Sequence, residues 1–338
     1  MRRMLPALFL VFTASLAAEP TNQFVVAAYN VENWNWIERD KKPHQPKPQA
    51  EKDAVVGVIT TIRPDVLAIE EMGQTNDLDE LTFALRAKGF DLPNREWIQA
   101  SDPDRHVCLL TRFPIVDRRS RTDYTYLLDG KPMPVQRGFL DVRVKVNDDY
   151  SFRAIVAHLK SKRKSAQGDQ AQMRLEEARL LRSHVGKALK DNRDENLIVM
   201  GDFNDFPDSE PLQAIVGTPP FALFVLPCKD GKGSESTHYW KFRNEHSHLD
   251  YLIASPGLSN EYVAGSARIA DVVDWGVGSD HRMIYARFIA HDLGTVSAAT
   301  SNGAFQLPGV LALVVGLSGI LLWQRRSRAG RVPGQRPA

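Results

Sequence analysis

Six apolar runs in this chain each end, or begin, on a polar residue that packing does not call for. The run FVVAAYNV delivers Asn30, and DVLAIEE delivers Glu71. SFRAIVAHL delivers His158, and NLIVM leads straight into Gly201-Asp202-Phe203-Asn204-Asp205. HLDYLIA carries Asp250 at its start, and RMIYARFIA is preceded by Gly278-Ser279-Asp280-His281. Short apolar runs of this kind read as buried strands, and an unpaired polar group at a buried tip is costly. Any single tip has a bland explanation: Asp202 or Asn204 can form a turn, His158 can be a satisfied core histidine, and Asp280 can be a turn residue. Six together are better explained by convergence on one site.

Between these strands lie helix-like stretches. AEKDAVVGVITTI separates the first two strands, Leu78 to Lys88 reads as a second helix stopped by Gly89, and a long charged helix runs from about Asp169 to Leu189. The runs VCLLT and GFLDVRVKV add strands, the latter with one buried face at Val142, Val144 and Val146. Hairpin-type neighbours mixed with helical connections predict an α/β fold with two packed, mixed sheets and helices outside. One catalytic-type domain is expected over 22–292. The proline-broken, basic stretch Arg39 to Pro48 reads as a surface loop rather than regular structure. Trp34 and Trp36 could pack, stack bases or touch a membrane, and packing is the reading adopted.

The ends carry separate signals. Met1-Arg2-Arg3, an apolar stretch from Leu5 to Leu16, and small residues up to Ala18 have the order of a signal peptide over 1–18. Residues 305–323 (FQLPGVLALVVGLSGILLW) hold no charge, and about 20 apolar residues suffice for a transmembrane helix. The linker 293–304 precedes it, and a basic tail, 324–338, follows. Its arginines favour the cytoplasmic side, so the expected topology is an exported domain anchored to the cell membrane. Processing of the tail is the alternative.

The full chain carries a net charge of +2 over 338 residues; without the two arginines of the start and the five of the tail it is −5. Such a domain is not a bulk polyanion binder, so any grip on nucleic acid must be local. The basic run Lys160, Lys162, Arg163 and Lys164 leaves the end of the His158 strand and is one such place. Of the two cysteines, Cys108 lies in an apolar core strand, while export would permit a bridge to Cys228.

The ordered set YNVEN, EE, HLKS, GDFND, LDYL and SDH resembles the endonuclease/exonuclease/phosphatase superfamily. That superfamily includes deoxyribonuclease-I-like nucleases, abasic-site endonucleases, sphingomyelinases and inositol polyphosphate phosphatases. The resemblance implies a four-layered α/β sandwich with its site at one edge of the two sheets. It implies metal ligation by Glu71 with Asn30 beside it, and Asp280 completing the set. Oxygen ligands without cysteine favour Mg²⁺, or Mn²⁺, over zinc. The resemblance further pairs His281 with Asp250, sets Asp202 and Asn204 against the nucleophilic water and a phosphate oxygen, and places His158 near the leaving group. Arg137, with Lys160, is expected to meet substrate phosphate. Either Asp202 or the Asp250–His281 pair serves as base, and the pair is the reading adopted.

Metal-dependent phosphoester hydrolysis is therefore the expected activity, with a nuclease acting on DNA or RNA as the leading reading. GDFNDFPDSEPL and HLKSKR are most similar to exported bacterial nuclease-type members. A lipid or small-molecule phosphoesterase, of sphingomyelinase or phosphoinositide phosphatase type, is the alternative. The Trp-Cys-Asp-Arg signature of inositol phosphatases is replaced by HSHLDYL. An inactive binding module is disfavoured by intact Glu71, Asp202, Asn204, Asp250 and His281. No protein partner is inferred.

Overall fold

The first strand is apolar on both faces, which commits it to the middle of a layered structure. In β1 (Gln23–Trp34), Phe24, Val26 and Ala28 point one way and Ala27, Tyr29 and Val31 the other, each group into a different core. The computed structural model describes residues 22–39 and 41–293. After β1 come the short strands β2 (Ile37–Arg39) and β3 (Lys42–Gln45), α1 (Gln49–Ile62), β4 (Val66–Met72), α2 (Thr75–Ala87), β5 (Asn94–Ile98) and β6 (His106–Thr111). Next are β7 (Ile115–Arg118), β8 (Thr125–Leu128), β9 (Lys131–Pro134), β10 (Phe139–Lys145), β11 (Ser151–Ala157) and the long α3 (Gln170–Asp191). The remainder is β12 (Leu197–Asp202), α4 (Glu210–Val216), β13 (Phe224–Val225), β14 (His238–Trp240), β15 (Glu245–Ser247), β16 (Asp250–Ala254), α5 (Pro256–Ser259), β17 (Arg268–Ile269), α6 (Trp275–Gly278) and β18 (Ile284–Ile289).

Two six-stranded sheets result, ordered β17-β18-β1-β4-β6-β5 and β13-β16-β12-β11-β10-β7. Both are mixed: β1–β4 and β11–β12 are parallel, and their other pairs are antiparallel. The inner faces meet in one core, where the Phe24 ring stacks on Phe152 of the opposite sheet at 5.0 Å. Val142 and Val144, with Leu140, form the alternating buried face of β10, while the expected third member, Val146, lies just past the strand and is partly buried. Outside the first sheet, Val55 and Ile59 of α1 and Leu78 and Leu81 of α2 cover Leu67 and Ile69. Outside the second, Leu181 and Val185 of α3 and Leu212 of α4 cover Ile155 and Val199. The layers run helix, sheet, sheet, helix, as the sequence predicts.

Local chemistry sets the helix starts. Asp169 accepts hydrogen bonds from the amides of Ala171 and Gln172 and caps α3. Gln74 and Asp77 form a reciprocal capping box, so α2 begins at Thr75, three residues earlier than periodicity alone suggests. The surface-loop expectation for Arg39 to Pro48 is corrected: β2 and β3 pair there as a two-stranded hairpin. An isolated ribbon has edges on both sides, so Pro43 disrupts no interior ladder. Lys47, in the same stretch, is buried, and its Nζ donates to the Glu32 carbonyl at 2.9 Å. Trp34 is buried, while Trp36 is exposed and stacks on His44. Cys108 and Cys228 are both buried and free, so no bridge forms.

Among the described residues, no helix is long and apolar enough to cross a membrane. The expected signal peptide (1–18), linker from residue 294 on, membrane helix (305–323) and tail (324–338) lie outside the described residues.

One buried carboxyl away from the strand tips generates a pH dependence. Glu261 is fully buried; the Tyr150 hydroxyl donates to it, and the Leu293 amide lies 3.4 Å from its Oε1. Burial pushes its pKa up to about 7. An unfolded glutamate titrates near 4.3, so the native state holds this proton more tightly. The stability it contributes is complete below the unfolded pKa and is lost as pH rises through the folded one. Urea unfolding should therefore show stability falling between about pH 5 and pH 8, and Glu261→Gln should flatten that fall. An equally steep fall in the variant would remove Glu261 as its source.

Candidate active site

The two sheets meet at one edge through their polar tips. β12 and β16 are antiparallel with Asp202 opposite Asp250, so their carboxylates emerge side by side. Asn30, on β1 of the other sheet, donates from Nδ2 to Asp202 Oδ2 at 3.1 Å. Asn204 donates twice to the same side chain: its amide to Oδ1 at 2.8 Å and its Nδ2 to Oδ2 at 3.1 Å. Its Nδ2 also reaches the Leu159 carbonyl at 3.1 Å, which ties it to the segment after β11. His158 Nε2 stands 3.5 Å from Asp202 Oδ2, and His281 Nε2 stands 3.7 Å from the same oxygen. Asp202 is thus a hub for four of the expected residues.

Local backbone geometry aims these groups. Asn204 and Glu71 both adopt positive φ, 54° and 61°. That costs a non-glycine residue about 1 to 3 kcal/mol and persists where surrounding structure fixes it, commonly at functional sites. Gly201, at φ +131° near the end of β12, takes a backbone conformation and a close approach that a side chain would not: a Cβ there would strike the Ala157 carbonyl and come within 2.9 Å of Glu70 Oε1.

His281 Nδ1 lies 2.9 Å from Asp250 Oδ2 and 3.1 Å from Oδ1. Its amide donates to Ser279 Oγ, and that hydroxyl donates to the Asn30 carbonyl at 2.7 Å. Burial works against the charged ring, but the adjacent carboxylates of Asp250 and Asp202 outweigh it and raise the pKa of His281 well above the usual histidine value. Asp202, buried and beside Asp250, is pushed up to about 7 in spite of His281. His158 goes the other way: burial and the cations of Arg137, His281 and Arg105 hold it neutral.

Glu71 sits at the rim, with Arg105 Nε 3.8 Å from one oxygen and His158 Nε2 3.9 Å from the other. Asp280 is half-buried, with His238 Nε2 at 3.5 Å and His281 Nε2 at 3.9 Å. Arg137 donates from Nε to Asp102 at 3.0 Å, and its Nη1 is buried without a hydrogen-bond partner. Lys160 is nearly buried; burial and then Arg137 lower its pKa. Lys162 is less available than the basic run suggests, since it pairs with Asp205 at 3.1 Å and covers the Phe206 ring.

Two triads of ligand atoms lie within 4.8 Å of one another: His238, Asp280 and His281, and Asp202, Asp250 and His281. In the second, His281 Nδ1 is already engaged with Asp250 at 2.9 Å. Glu71 fits a hard cation better: its carboxylate faces the site and its charged neighbours stand beyond hydrogen-bond length. Asn30 Oδ1 accepts the Glu32 amide at 3.0 Å and retains a second lone pair.

Sequence reasoning missed several neighbours. Glu70 is fully buried with neither oxygen hydrogen-bonded, and burial, then Asp250 and Asp202, raise its pKa well above the ordinary glutamate value. The doubled EE was a visible signal for it. Ser279 was visible in the SDH motif. Glu32 accepts the Asp280 amide at 2.9 Å, and Thr237 Oγ1 accepts the amides of Leu249 and Asp250. His238 sits in a polar stretch with no apolar run to mark it.

Residues 37–281 match the Endonuclease/Exonuclease/phosphatase family. Among solved structures, the catalytic domain of human nocturnin with bound sulfate is similar, at 16% identity over 80% of this chain and 96% of that one, with a TM-score of 0.56. Sphingomyelinase C from Streptomyces griseocarneus is similar at 16% identity over 81% and 99%, TM-score 0.55. An endonuclease/exonuclease/phosphatase from Bacteroides vulgatus is similar at 14% identity over 80% and 99%, TM-score 0.56. These likenesses are of fold. No curated protein matches the sequence. With the family match spanning most of the chain and the matching strand tips gathered at one edge, this protein is a member of the Endonuclease/Exonuclease/phosphatase family.

Proposed function

We propose that this protein is a divalent-metal-dependent phosphodiesterase that acts on nucleic acid. One observation carries the reading: Asp202 gathers Asn30, Asn204, His158 and His281 from both sheets around one carboxylate, with Asp250 behind His281. Membership of the family and the likeness to nocturnin and sphingomyelinase C support phosphoester chemistry.

Glu71 and Asn30, with Asp280, would hold Mg²⁺ or Mn²⁺. The ion would neutralise a phosphate oxygen and stabilise charge that grows in the transition state. Asp202, pushed up to about 7, would take the proton of an attacking water, while His281, fixed by Asp250 through Nδ1 and kept charged by both carboxylates, would donate a hydrogen bond to the phosphate. Asn204 offers an amide to water or to a phosphate oxygen. His158, held neutral, can donate a hydrogen bond from one ring nitrogen without adding charge. The buried free Nη1 of Arg137 and the ammonium of Lys160 meet the remaining phosphate charge.

Nucleic acid is preferred as substrate because Arg137, Lys160 and Arg105 line the edge, supplying the local basic grip that the −5 domain lacks overall. A membrane anchor after the domain would place it on the extracytoplasmic side, which is compatible with extracellular nucleic acid.

His281→Ala and Asp202→Ala should each lower kcat by about 10² to 10⁴, the scale for a positioned acid or base. Steady-state rates on bis-p-nitrophenyl phosphate and on DNA check this; a near-normal rate in either variant would take that residue out of the mechanism. Chelation by EDTA should abolish hydrolysis, and added Mg²⁺ or Mn²⁺ should restore it. Glu71→Gln should raise the metal concentration needed for half-maximal rate. Full activity in excess chelator would contradict the metal role.

A further inference from the structure

The hairpin β14–β15 begins inside the site and ends in a surface that the hydrolytic chemistry does not use. His238 at its base lies 3.5 Å from Asp280, and its ring centroid is 4.7 Å from that of His281. Two residues outward, Trp240 is 41% exposed; at the turn, Phe242 is 94% exposed. Lys241 and Arg243 alternate with them. At about 3.3 Å per residue, Trp240 stands roughly 7 Å along the strand from His238. The tip is therefore within reach of groups next to a phosphate held at the site.

This hairpin is stiff. Tyr239 stacks on His246 at 4.5 Å and its hydroxyl donates to Asn244 at 3.1 Å. His238 Nδ1 meets Ser247 Oγ at 2.9 Å. Lys241 Nζ donates to the Gly276 carbonyl at 3.1 Å, which fastens the turn to α6. The Arg243 guanidinium lies 4.8 Å from the Trp240 ring centre. Phe242 buries almost nothing and Trp240 leaves 41% of its surface exposed, so the fold accounts for neither aromatic in full.

Lys241 gives one ammonium proton to Gly276 and keeps two. Arg243 covers one face of Trp240, with Glu245 at 3.9 Å. The tip therefore offers Phe242, the other face of Trp240 and positive charge beside them, which complements a polymer of flat apolar faces and anions. A single nucleic-acid strand has that form: its bases stack on aromatic side chains and its phosphates pair with lysine and arginine. A duplex hides the base faces in its own stack. We infer that the β14–β15 tip is a base-stacking platform, through Trp240 and Phe242, that makes single-stranded nucleic acid the preferred substrate. The inference rests on the nuclease reading above.

The test compares the full-length wild type, the double variant Trp240→Ala/Phe242→Ala, and Phe242→Trp, all with Mg²⁺. Substrates are a short single-stranded oligonucleotide as DNA and as RNA, the matching DNA duplex, and bis-p-nitrophenyl phosphate. The wild type should favour the single strands. The double variant should raise KM for them by about ten-fold or more, the scale for lost base stacking. Its rate on bis-p-nitrophenyl phosphate, which shows that the site is still folded, should not change, and Phe242→Trp should keep the wild-type KM. An unchanged KM in the double variant overturns the inference. So does an unchanged KM joined to lost binding of phosphatidylserine vesicles, which assigns the tip to a lipid surface. A wild type that cleaves bis-p-nitrophenyl phosphate but no oligonucleotide sinks the nuclease reading itself.

Discussion

Hydrogen bonds from Asn30 Nδ2 to Asp202 Oδ2, across 172 residues of sequence, and between His281 Nδ1 and Asp250 join the tips of the two sheets. The inner faces are apolar and close-packed, so the sheets hold one another at a fixed spacing. The polar groups at the strand ends inherit that spacing. Asp202 and Asp250 are set side by side by the β12–β16 register, while Asn30 and Glu71 arrive from β1 and β4 of the opposite sheet. The position of each group follows from a core that contains none of them.

That placement brings carboxylates together where water is scarce. Glu70, Asp202 and Asp250 are all buried at the same edge. Burial, and then mutual repulsion, raise the pKa values of Glu70 and Asp202, and His281 carries the compensating positive charge. Positive φ at Glu71 and Asn204 adds backbone strain. A chain selected for stability alone would replace these features with apolar residues. Their concentration at the one edge where Arg137 keeps a buried, unpartnered nitrogen is consistent with a site built for an anionic ligand.

Much of this was legible in the sequence because the strands that carry the tips are uniformly apolar. Each of the six runs forms a strand, and α1 and α3 fall within two residues of the expected limits. The reading weakened where the chain is polar and its structure is set by long-range contacts. Pro43 suggested a loop, yet an isolated ribbon accommodates it. His238 enters the site only because its hairpin pairs with the segment at His281. Glu70 was overshadowed by its neighbour: in a strand, adjacent residues face opposite ways, and only the structure assigns one carboxylate to the rim and the other to the interior. The Lys162 of the basic run proved to be engaged with Asp205 and Phe206, a contact between distant segments.

The central claim is that these tips share one bound phosphoester. The most direct test is a crystal structure of the protein with Mn²⁺ and a hydrolysis-resistant phosphorothioate dinucleotide. The account predicts a manganese anomalous peak at Glu71 and Asn30, and phosphorus in the space bounded by His158, Asp202, His281 and Arg137. Manganese and phosphorus bound together at any other surface would contradict it.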